Sequence, residues 1–540
     1  MVILGLTHPY SWNTAAAILR DGKLIAFAEE ERFTRVKHAP RQFPYRAMAY
    51  CLQEASVTLE EVDHIAVGME RPWSCILPNL WPPQPPRFVY GKILRNFQEI
   101  WRGDATFPFS IRDRRLLFLN HHLCHIASSF YLSGFVRSNF ISLDGAGGGE
   151  SGMLGWGERT TLHIRHRVTN AGSFGALYER VTKILGFRPH SHEGKTMGLA
   201  AYGTAHPDRI DFIDWDRPIP AINHARRNAF LARLTPRRAD EALTQQHKDL
   251  AATIQDALER ALLQMATTLT KESGIRSLCL SGGVALNCAA NGKILHSGIV
   301  DHVYVQPASS DAGVALGAAV LCHVQRTGER PSFVFHHAYY GPSFSDDEIE
   351  AVLREAKVPY KRCEDIVRST AKLLAEGKIV GWFQGRMEVG PRALGGRSIL
   401  ADPAVAGMKD LVNAQVKHRE MWRPFAPSML EGDIGEYVED PSLSPFMILA
   451  FHARADRSKD FAAAIHVDGT ARVQGVSREA HPRFAELLDA FKNITHRGVL
   501  LNTSFNVAEE PLVCTPRDAL RTFYCCGLDA LAIGDFLLVK

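Results

Sequence analysis

The chain contains 540 residues with a formal net charge of +4, and 46% of its residues are hydrophobic against 22% charged. This composition is typical of a folded globular protein and excludes the disordered and coiled-coil classes, and so small a net charge gives no reason to expect a nucleic-acid partner. Because the length exceeds what one hydrophobic core can hold, we expect at least two domains.

The cysteines and the N-terminus bear on where the protein works. Ten cysteines are scattered along the chain without a Cys-x-x-Cys pair, a pattern typical of reduced, buried thiols. The N-terminus has neither a basic start nor a long apolar run, and no segment reaches the ~18 consecutive apolar residues of a membrane-spanning helix. We expect a soluble, cytoplasmic protein that does not bind a membrane.

The first elements predict an α/β domain. Residues 2–6 form an apolar strand, and residues 15–31 form two strands around the turn Asp21-Gly22, a strong hairpin signal. A strand, a polar loop and a returning hairpin are how actin-like and sugar-kinase-like nucleotide-binding folds begin. We expect this fold class by analogy.

Two stretches follow that carry no regular pattern. Residues 29–38, EEERFTRVKH, are densely charged, and a solvated strand end is the favoured interpretation. Residues 72–115 begin with six prolines in fifteen residues and are predicted to be an irregular excursion. A loop this long tends to have a function, here a lid over a binding pocket or a dimer contact.

The segment NHHLCHIA contains a candidate metal-binding pair. His121 and His125 are four residues apart, so on the helix predicted to start at His121 they share one face. Two imidazoles at that spacing suit zinc, iron or another transition ion. In a chain with 23 histidines the alternative is a pair satisfied by its neighbours.

Two aspartates lie at positions that suit a ligand site. Asp144 ends an apolar strand and opens a glycine-rich loop, which favours a nucleotide or metal loop over a simple turn. Asp311 opens a helix of small residues, where it is either a helix cap or a metal ligand. The turn Ser281-Gly282-Gly283 likewise precedes a small-residue helix and allows a ligand to approach the helix N-terminus.

The middle of the chain, residues 205–275, is predicted to be largely helical, with a break at residues 216–218 and a long amphipathic helix over residues 245–271. The helical pattern stops around residues 323–345, which we take as a domain boundary. A second domain then begins with a helix, since Ser345 and Glu348 have the spacing of a capping box.

The second domain is rich in cations on loops. Guanidinium and ammonium groups among glycines and turns favour a phosphate or acyl-phosphate site, and the small net charge weighs against nucleic acid as the anion. These cations are Arg386, Arg392, Arg397, Lys417, Arg419 and Arg423.

Taken together, these segments resemble one enzyme family, the antibiotic- and nodulation-type O-carbamoyltransferases, over the whole chain and in the family's order. The resemblance implies an α/β chain with an actin-like (ASKHA), two-lobed carbamoyl-transfer domain over residues 1–340 and an α/β carbamoyl-adenylate synthase-like domain over residues 341–540. The motifs that carry it are EEERFTRVKH, NHHLCHIAS, DGAGGGE, EGKTMGLAAYG, SGGVALN, SSDAGVALGA, GRMEVGPRALGGRSILADP, KHREMWRPFAPS, HVDGTARVQ and LNTSFN.

The resemblance implies a two-step reaction. Carbamoyl phosphate and ATP give carbamoyl-adenylate and pyrophosphate in the second domain, and the first domain transfers the carbamoyl group to a hydroxyl of a small secondary metabolite or sugar. It places carbamoyl phosphate and ATP at Arg386, Arg392, Arg397, Lys417, Arg419, Arg423, Asn502, Ser504 and Asn506, with Lys417 and Arg419 also catalytic. It places the adenylate at Gly145, Glu193, Lys195, Gly282, Gly283 and Asn287.

The resemblance also implies a divalent metal held by His121, His125, Asp144 and Asp311. The expected ion is Fe(II). Mn(II) and Zn(II) stay as alternatives, because two imidazoles and two carboxylates do not discriminate among these ions. Mg²⁺ is expected with ATP. A homodimer is compatible with the sequence, and no nucleic acid or membrane partner is expected.

The chain departs from the family at two places. Relatives carry a histidine in the first loop, a plausible base for the acceptor hydroxyl, where this chain has Trp12-Asn13-Thr14. We therefore assign that role to His8, with activation by the metal site as the alternative. Glu509 replaces a usual glycine, and no function is derived from it.

Three other functions were weighed. A carbamoyl-transfer protein of hydrogenase maturation would need zinc-finger and acylphosphatase modules that have no room here. A sugar kinase of the actin-like class would consume ATP without carbamoyl phosphate, and a silent scaffold would not need the arginine-rich segments. The acceptor pocket is assigned to residues 72–115 and 205–275.

Overall fold

The computed structural model describes residues 1–8, 11–69, 109 and 113–540. The excursion predicted over residues 72–115 therefore lies almost entirely outside the described residues. The strands are β1 Val2–Leu6, β2 Ala15–Arg20, β3 Lys23–Glu29, β4 His64–Val67, β5 Leu116–Phe118, β6 Arg137–Gly147, β7 Glu150–Glu158, β8 Thr161–Thr169, β9 Ile213–Asp214, β10 Ala221–Ile222, β11 Ser277–Ser281, β12 His302–Val305, β13 Lys361–Arg362, β14 Val380–Phe383, β15 Arg397–Ala401, β16 Ala426–Leu430, β17 Phe451–His452, β18 Thr470–Ala471, β19 Gln474–Val476, β20 Val499–Ser504, β21 Ala530–Ile533 and β22 Phe536–Val539.

Helices connect and cover these strands. The α-helices are α1 Glu31–Thr34, α2 Tyr45–Glu54, α3 His121–Phe130, α4 Phe174–Ile184, α5 Glu193–Ala200, α6 His224–Ala232, α7 Gln245–Ser273, α8 Cys288–His296, α9 Asp311–Thr327, α10 Asp346–Glu355, α11 Ile366–Ala375, α12 Met408–Leu411, α13 Ile434–Tyr437, α14 Pro482–Thr495 and α15 Pro516–Cys525.

The first 305 residues contain two five-stranded sheets with the same topology. In the order β3-β2-β1-β4-β5, strands β1 to β3 form an antiparallel meander, and β4 and β5 run parallel to β1. In the order β8-β7-β6-β11-β12, strands β6 to β8 form the same meander, and β11 and β12 run parallel to β6. This duplication confirms the predicted two-lobed, actin-like class.

The last two hundred residues build one mixed eight-stranded sheet in the order β13-β22-β21-β14-β15-β20-β16-β19. Separate apolar clusters lie against this sheet, one including Ile399 and Phe523 and the other Trp382 and Phe491. The largest apolar core is shared, since it runs from the two lobes into residues 426–473. The predicted division at residue 340 stays a prediction.

Helices α3 and α9 pack closely enough for their backbones to touch. A Cβ added to Gly317 would overlap the carbonyl oxygen of Cys124, so only glycine fits at this crossing. Cys124 lies between His121 and His125 in α3, and Asp311 starts α9. The crossing therefore sets the distance between the histidine pair and that aspartate.

The charged segment at residues 29–38 is not the solvated strand end that we expected. Glu29, Glu31 and Arg32 are each less than a tenth exposed. The Arg32 guanidinium donates to the Glu29 carboxylate and, at 2.6 Å, to the Gly390 carbonyl in the second half of the chain. The prediction failed because the partners that make burial of these charges tolerable come from a distant part of the sequence.

The prediction for residues 205–275 is partly wrong. Helix α7, Gln245–Ser273, agrees with the predicted helix over residues 245–271. Before it lie only the nine-residue helix α6, one 3₁₀ turn and the hairpin β9–β10, which encloses the predicted break. Prolines at positions 207, 218, 220 and 236 prevent a longer helix.

The nine described cysteines are all free, and Cys525 alone among them is exposed. Cys75 lies outside the described residues. None of the helices described combines the length and apolarity that crossing a membrane requires.

We predict that Gly317→Ala destabilises the fold by about 1–3 kcal/mol, because the added methyl group forces α3 and α9 apart. Denaturant unfolding measures the loss. Gly194→Ala is the matched control, since Gly194 lies in helix α5 with open space around its Cα, and it should leave stability unchanged or slightly higher. Equal stability of the two variants would contradict the close packing.

Candidate functional site

Four side chains from three elements meet between the two lobes. His121 and His125 lie on one face of α3, whose first turn is capped by the Asn120 side chain accepting from the Leu123 amide. Asp144 lies near the end of β6, and Asp311 is the first residue of α9. One ligand atom from each of the four lies within 4.8 Å of all the others. We call this set the quartet.

The quartet atoms face one another directly. His125 Nε2 lies 3.1 Å from Asp144 Oδ2 and 3.2 Å from His121 Nε2. His121 Nε2 lies 3.8 Å from an oxygen of Asp144 and 3.8 Å from an oxygen of Asp311. Two imidazole nitrogens and two carboxylates grouped in this way are ligand types that transition metals prefer, so the quartet is a candidate metal site.

The electrostatics of the quartet also suit a cation. Burial by itself would raise the pKa of the Asp144 carboxyl, but hydrogen bonds from His121 and His125 hold that pKa well below its ordinary value. Burial and the nearby charge of Asp144 raise the pKa of Asp311, and burial lowers the pKa of His125. A divalent ion would favour the neutral imidazoles and both carboxylates, so the residues fit a metal.

Glycines keep the surroundings of the quartet open. A Cβ on Gly147 would overlap the ring of His121, and one on Gly283 would lie 3.1 Å from Asp144 Oδ1. The Gly145 amide donates to Asp144 Oδ1 at 2.7 Å. Gly145 and Gly283, both predicted adenylate residues, thus border the quartet.

The first loop covers one side of the quartet. The Trp12 amide donates to Asp311 Oδ2 at 2.8 Å, and the Asn13 amide side chain donates to Ser310 Oγ. His8, the predicted base, is 7% exposed, and its pKa falls to about 4 through burial and the nearby His121. The structure thus places His8 beside the quartet but gives its imidazole little room and little proton affinity.

A second site consists of cations gathered with few acids. Burial lowers the pKa of Arg392 to about 9, with a further contribution from Arg472. Burial and neighbouring cations also lower the pKa values of Arg419 and Arg423. The cationic cluster, as we call it, comprises Lys37, Arg392, Lys417, Arg419, Arg423 and Arg472.

The cluster lacks enough counter-charge within the described residues. Glu420 and Glu509 are the carboxylates that act on Arg423. The Nε atoms of Arg392 and Arg472 are buried without a hydrogen-bond partner in the described part of the chain. Buried, unpaired guanidinium donors are costly unless an anion binds them, so this geometry suits a phosphate-bearing ligand.

Lys417 has a different environment from the one predicted. Its ammonium donates to the carbonyl and side-chain oxygens of Ser504 and Asn506, at 2.6 to 3.1 Å. These four oxygens surround the three N–H donors of the ammonium. Lys417, Ser504 and Asn506 thus contact one another, and their role as ligands of carbamoyl phosphate or ATP stays a prediction.

Three more predicted ligands are committed elsewhere. The guanidinium of Arg397 is fully buried, stacks on Phe383 and donates to four backbone carbonyls. Arg386 binds the Tyr50 hydroxyl and Glu54 instead of joining the cationic cluster. The buried amide of Asn502 donates to neighbouring strands β16 and β19. These three side chains bind other parts of the chain in this structure, and their role as ligands of carbamoyl phosphate or ATP stays a prediction.

The remaining predicted adenylate residues also have internal partners. Lys195 forms an ion pair with Glu420 at 2.9 Å. Glu193 accepts from the His190 amide, and Asn287 caps helix α8 while pairing with Gln255. A Cβ on Gly282 would overlap the Leu143 carbonyl.

Sequence reasoning missed two members of the cationic cluster. Arg472 lies in the motif HVDGTARVQ, which the resemblance included without assigning its arginine. Lys37 lies in the charged segment that we took to be solvated, yet its ammonium donates to the Glu510 carbonyl across the domain interface at 3.3 Å. The signal that could have identified Arg472 and Lys37 is that each lies within a motif shared with the family.

Comparisons with known proteins give the family. The family model described as "Carbamoyltransferase N-terminus" matches residues 2–71 and 88–320, and "Carbamoyltransferase C-terminus" matches residues 371–540. The nodulation protein NolNO of Sinorhizobium fredii is 38% identical over 99% of this chain and 80% of its own length. The 3'-hydroxymethylcephem-O-carbamoyltransferase of Amycolatopsis lactamdurans is 31% identical over 63% of this chain and 64% of its own.

Among solved structures, HypF of T. kodakarensis covers 61% of this chain and 48% of its own, at 14% identity and a TM-score of 0.32. The ROK hexokinase of Thermus thermophilus covers 61% of this chain and all of its own, at 16% identity and a TM-score of 0.29.

We predict that His125→Ala lowers the affinity for Fe(II), Mn(II) or Zn(II) by more than about 100-fold. Loss of a residue that only supports a metal ligand costs about 10- to 100-fold, and loss of the ligand itself should cost more. Elemental analysis of dialysed protein measures bound metal. His122→Gln is the matched control, because His122 lies on the same helix but faces Ser142. Equal metal content in both variants would contradict a metal at the quartet.

Proposed function

The chain belongs to the carbamoyltransferase family, and from this premise we propose that it is an ATP-dependent O-carbamoyltransferase. The observation that carries the proposal is the presence of both an acid-poor cationic cluster, drawn mainly from the last 150 residues, and the two-histidine, two-aspartate quartet. The cationic cluster suits a nucleoside triphosphate and an acyl phosphate, and the quartet suits a metal-assisted acyl transfer.

The first step would form the activated carbamoyl group. Carbamoyl phosphate, ATP and water give carbamoyl-adenylate, phosphate and pyrophosphate. Arg392, Arg419, Arg423 and Arg472 would neutralise the negative charges that otherwise keep these reactants apart. Mg²⁺ would accompany ATP.

The second step would transfer the carbamoyl group to the hydroxyl of a small metabolite or sugar, with AMP leaving. When bound at the quartet, a divalent metal such as Fe(II), Mn(II) or Zn(II) would supply Lewis-acid polarisation of the carbonyl. The open approach past Gly145 and Gly283 would admit the adenylate beside Asp144. Lys195 and Glu420 join helix α5 to the loop that carries the cations, so the chain itself links the two sites.

We predict carbamoyl-phosphate-dependent exchange of labelled pyrophosphate into ATP. Arg472→Ala should raise the KM for carbamoyl phosphate or ATP about 10- to 100-fold, since a charge-assisted hydrogen bond contributes about 1.5–3 kcal/mol. Arg478→Ala is the control, because Arg478 is exposed and paired with Asp489.

Three results would contradict this proposal. Absence of exchange would do so, and so would ATP consumption independent of carbamoyl phosphate, which is the behaviour of a kinase. If Arg472→Ala and Arg478→Ala had equal effects, the cationic cluster would have no specific role in binding carbamoyl phosphate or ATP.

A further inference from the structure

A histidine and a glutamate form a pair at the rim of the quartet. His190 Nε2 lies 3.0 Å from Glu179 Oε1, and the two side chains are 43% and 25% exposed. Neither residue belongs to the quartet or the cationic cluster. Their position raises the question of what the pair does.

Both residues are anchored to elements that hold quartet acids. On one side, the His190 ring packs against Trp12 with centroids 4.3 Å apart, and Trp12 Nε1 donates to the His190 carbonyl. The Trp12 amide in turn holds Asp311. On this side only one residue, Trp12, separates the imidazole from a quartet carboxylate.

On the other side, Glu179 lies on helix α4, which starts against Asp144. The capping residue Ser173 donates to the carbonyls of Asp144 and Gly145. Glu179 Oε2 lies 3.7 Å from where a Cβ on Gly145 would be, and the Gly145 amide holds Asp144. The pair is therefore linked through neighbouring residues to both quartet acids, Asp311 on the side of His190 and Asp144 on the side of Glu179.

His190 is held in one conformation at a backbone cost. Its φ is +61°, a left-handed value that is unfavourable for a residue with a side chain. Its amide donates to Glu193 at 2.7 Å, and its carbonyl accepts from Trp12. Contacts at both its amide and its carbonyl thus hold His190 in a strained backbone conformation.

We propose that His190 is the base that takes the proton of the acceptor hydroxyl, and that Glu179 is a positioning residue that orients its ring. This inference rests on the proposed function. Because Nε2 faces the carboxylate, its N–H donates to Glu179 and the lone pair of Nδ1 is available, an arrangement like the base and orienter of hydrolase triads.

In the step, the acceptor oxygen forms a bond to the carbamoyl carbon, and the bond from that carbon to the adenylate phosphate oxygen breaks. The hydroxyl proton moves to His190 Nδ1, AMP leaves with the bonding electron pair, and the imidazolium returns its proton to water. His190 is exposed whereas His8 is buried, which leaves room for a bulky acceptor beside His190.

The test compares two nucleophiles on the full chain supplied with ATP and carbamoyl phosphate. Glycerol is the hydroxyl probe and needs a base, whereas hydroxylamine traps carbamoyl-adenylate as hydroxyurea without one. Mass spectrometry measures both products. His190→Gly is the main variant, because glycine adopts a φ of +61° freely and the fold is retained.

We expect H190G to lower glycerol carbamoylation by about 100-fold or more, the usual contribution of a general base, with hydroxyurea formation unchanged. Added imidazole should restore part of the glycerol reaction, which a structural role would not allow. Glu179→Gln should lower the glycerol reaction alone. His166→Ala, which removes a partly exposed histidine paired with Glu272, should change neither.

The inference is overturned if H190G carbamoylates glycerol at the wild-type rate, if it loses both products in parallel, or if His8→Ala rather than H190G removes the glycerol reaction selectively. A wild-type chain that forms no hydroxyurea overturns the proposed function, and this inference with it. The hydroxylamine arm thus separates the two failures.

Discussion

The contact of helix α3 with helix α9 at Gly317 is the constraint on which the candidate metal site depends. Backbones approach this closely only where a residue has no side chain. Because Cys124 sits at the crossing, the histidines on either side of it are brought to the start of α9, where Asp311 lies. The duplicated lobes then place strand β6, and with it Asp144, on the remaining side.

The quartet and the cationic cluster each bury several groups of like charge, and each therefore requires a counter-charge. The quartet concentrates carboxylates, and burial together with Asp144 raises the pKa of Asp311. The cationic cluster concentrates guanidinium groups, and burial lowers the pKa of Arg392 to about 9. A buried set of like charges is stable only with a counter-charge. On the proposed function, a metal ion supplies it at one site and phosphates supply it at the other.

The halves of the chain meet through polar contacts rather than a purely apolar surface. Arg32 reaches the Gly390 carbonyl, Arg35 contacts the Leu512 carbonyl, and Lys37 reaches the Glu510 carbonyl. Gly390 itself, at a φ of +93°, packs so close to Pro307 that a Cβ would lie 2.8 Å from its carbonyl oxygen. The charged segment thus belongs to the interface, and it brings Lys37 into the cationic cluster.

The sequence by itself determined the fold class, the family and the quartet. The fold class follows from strand and turn patterns, which are local in sequence. His121 and His125 are four residues apart on one helix, and the family follows from the order of the motifs along the chain. Only the tertiary structure decided what each cation contacts, because Arg397 and Lys417 are cationic like Arg392 but donate to oxygens distant in sequence. It also decided that residues 29–32 are buried and that His190 meets Trp12. Such pairings arise where separate segments pack together, and no local pattern encodes them.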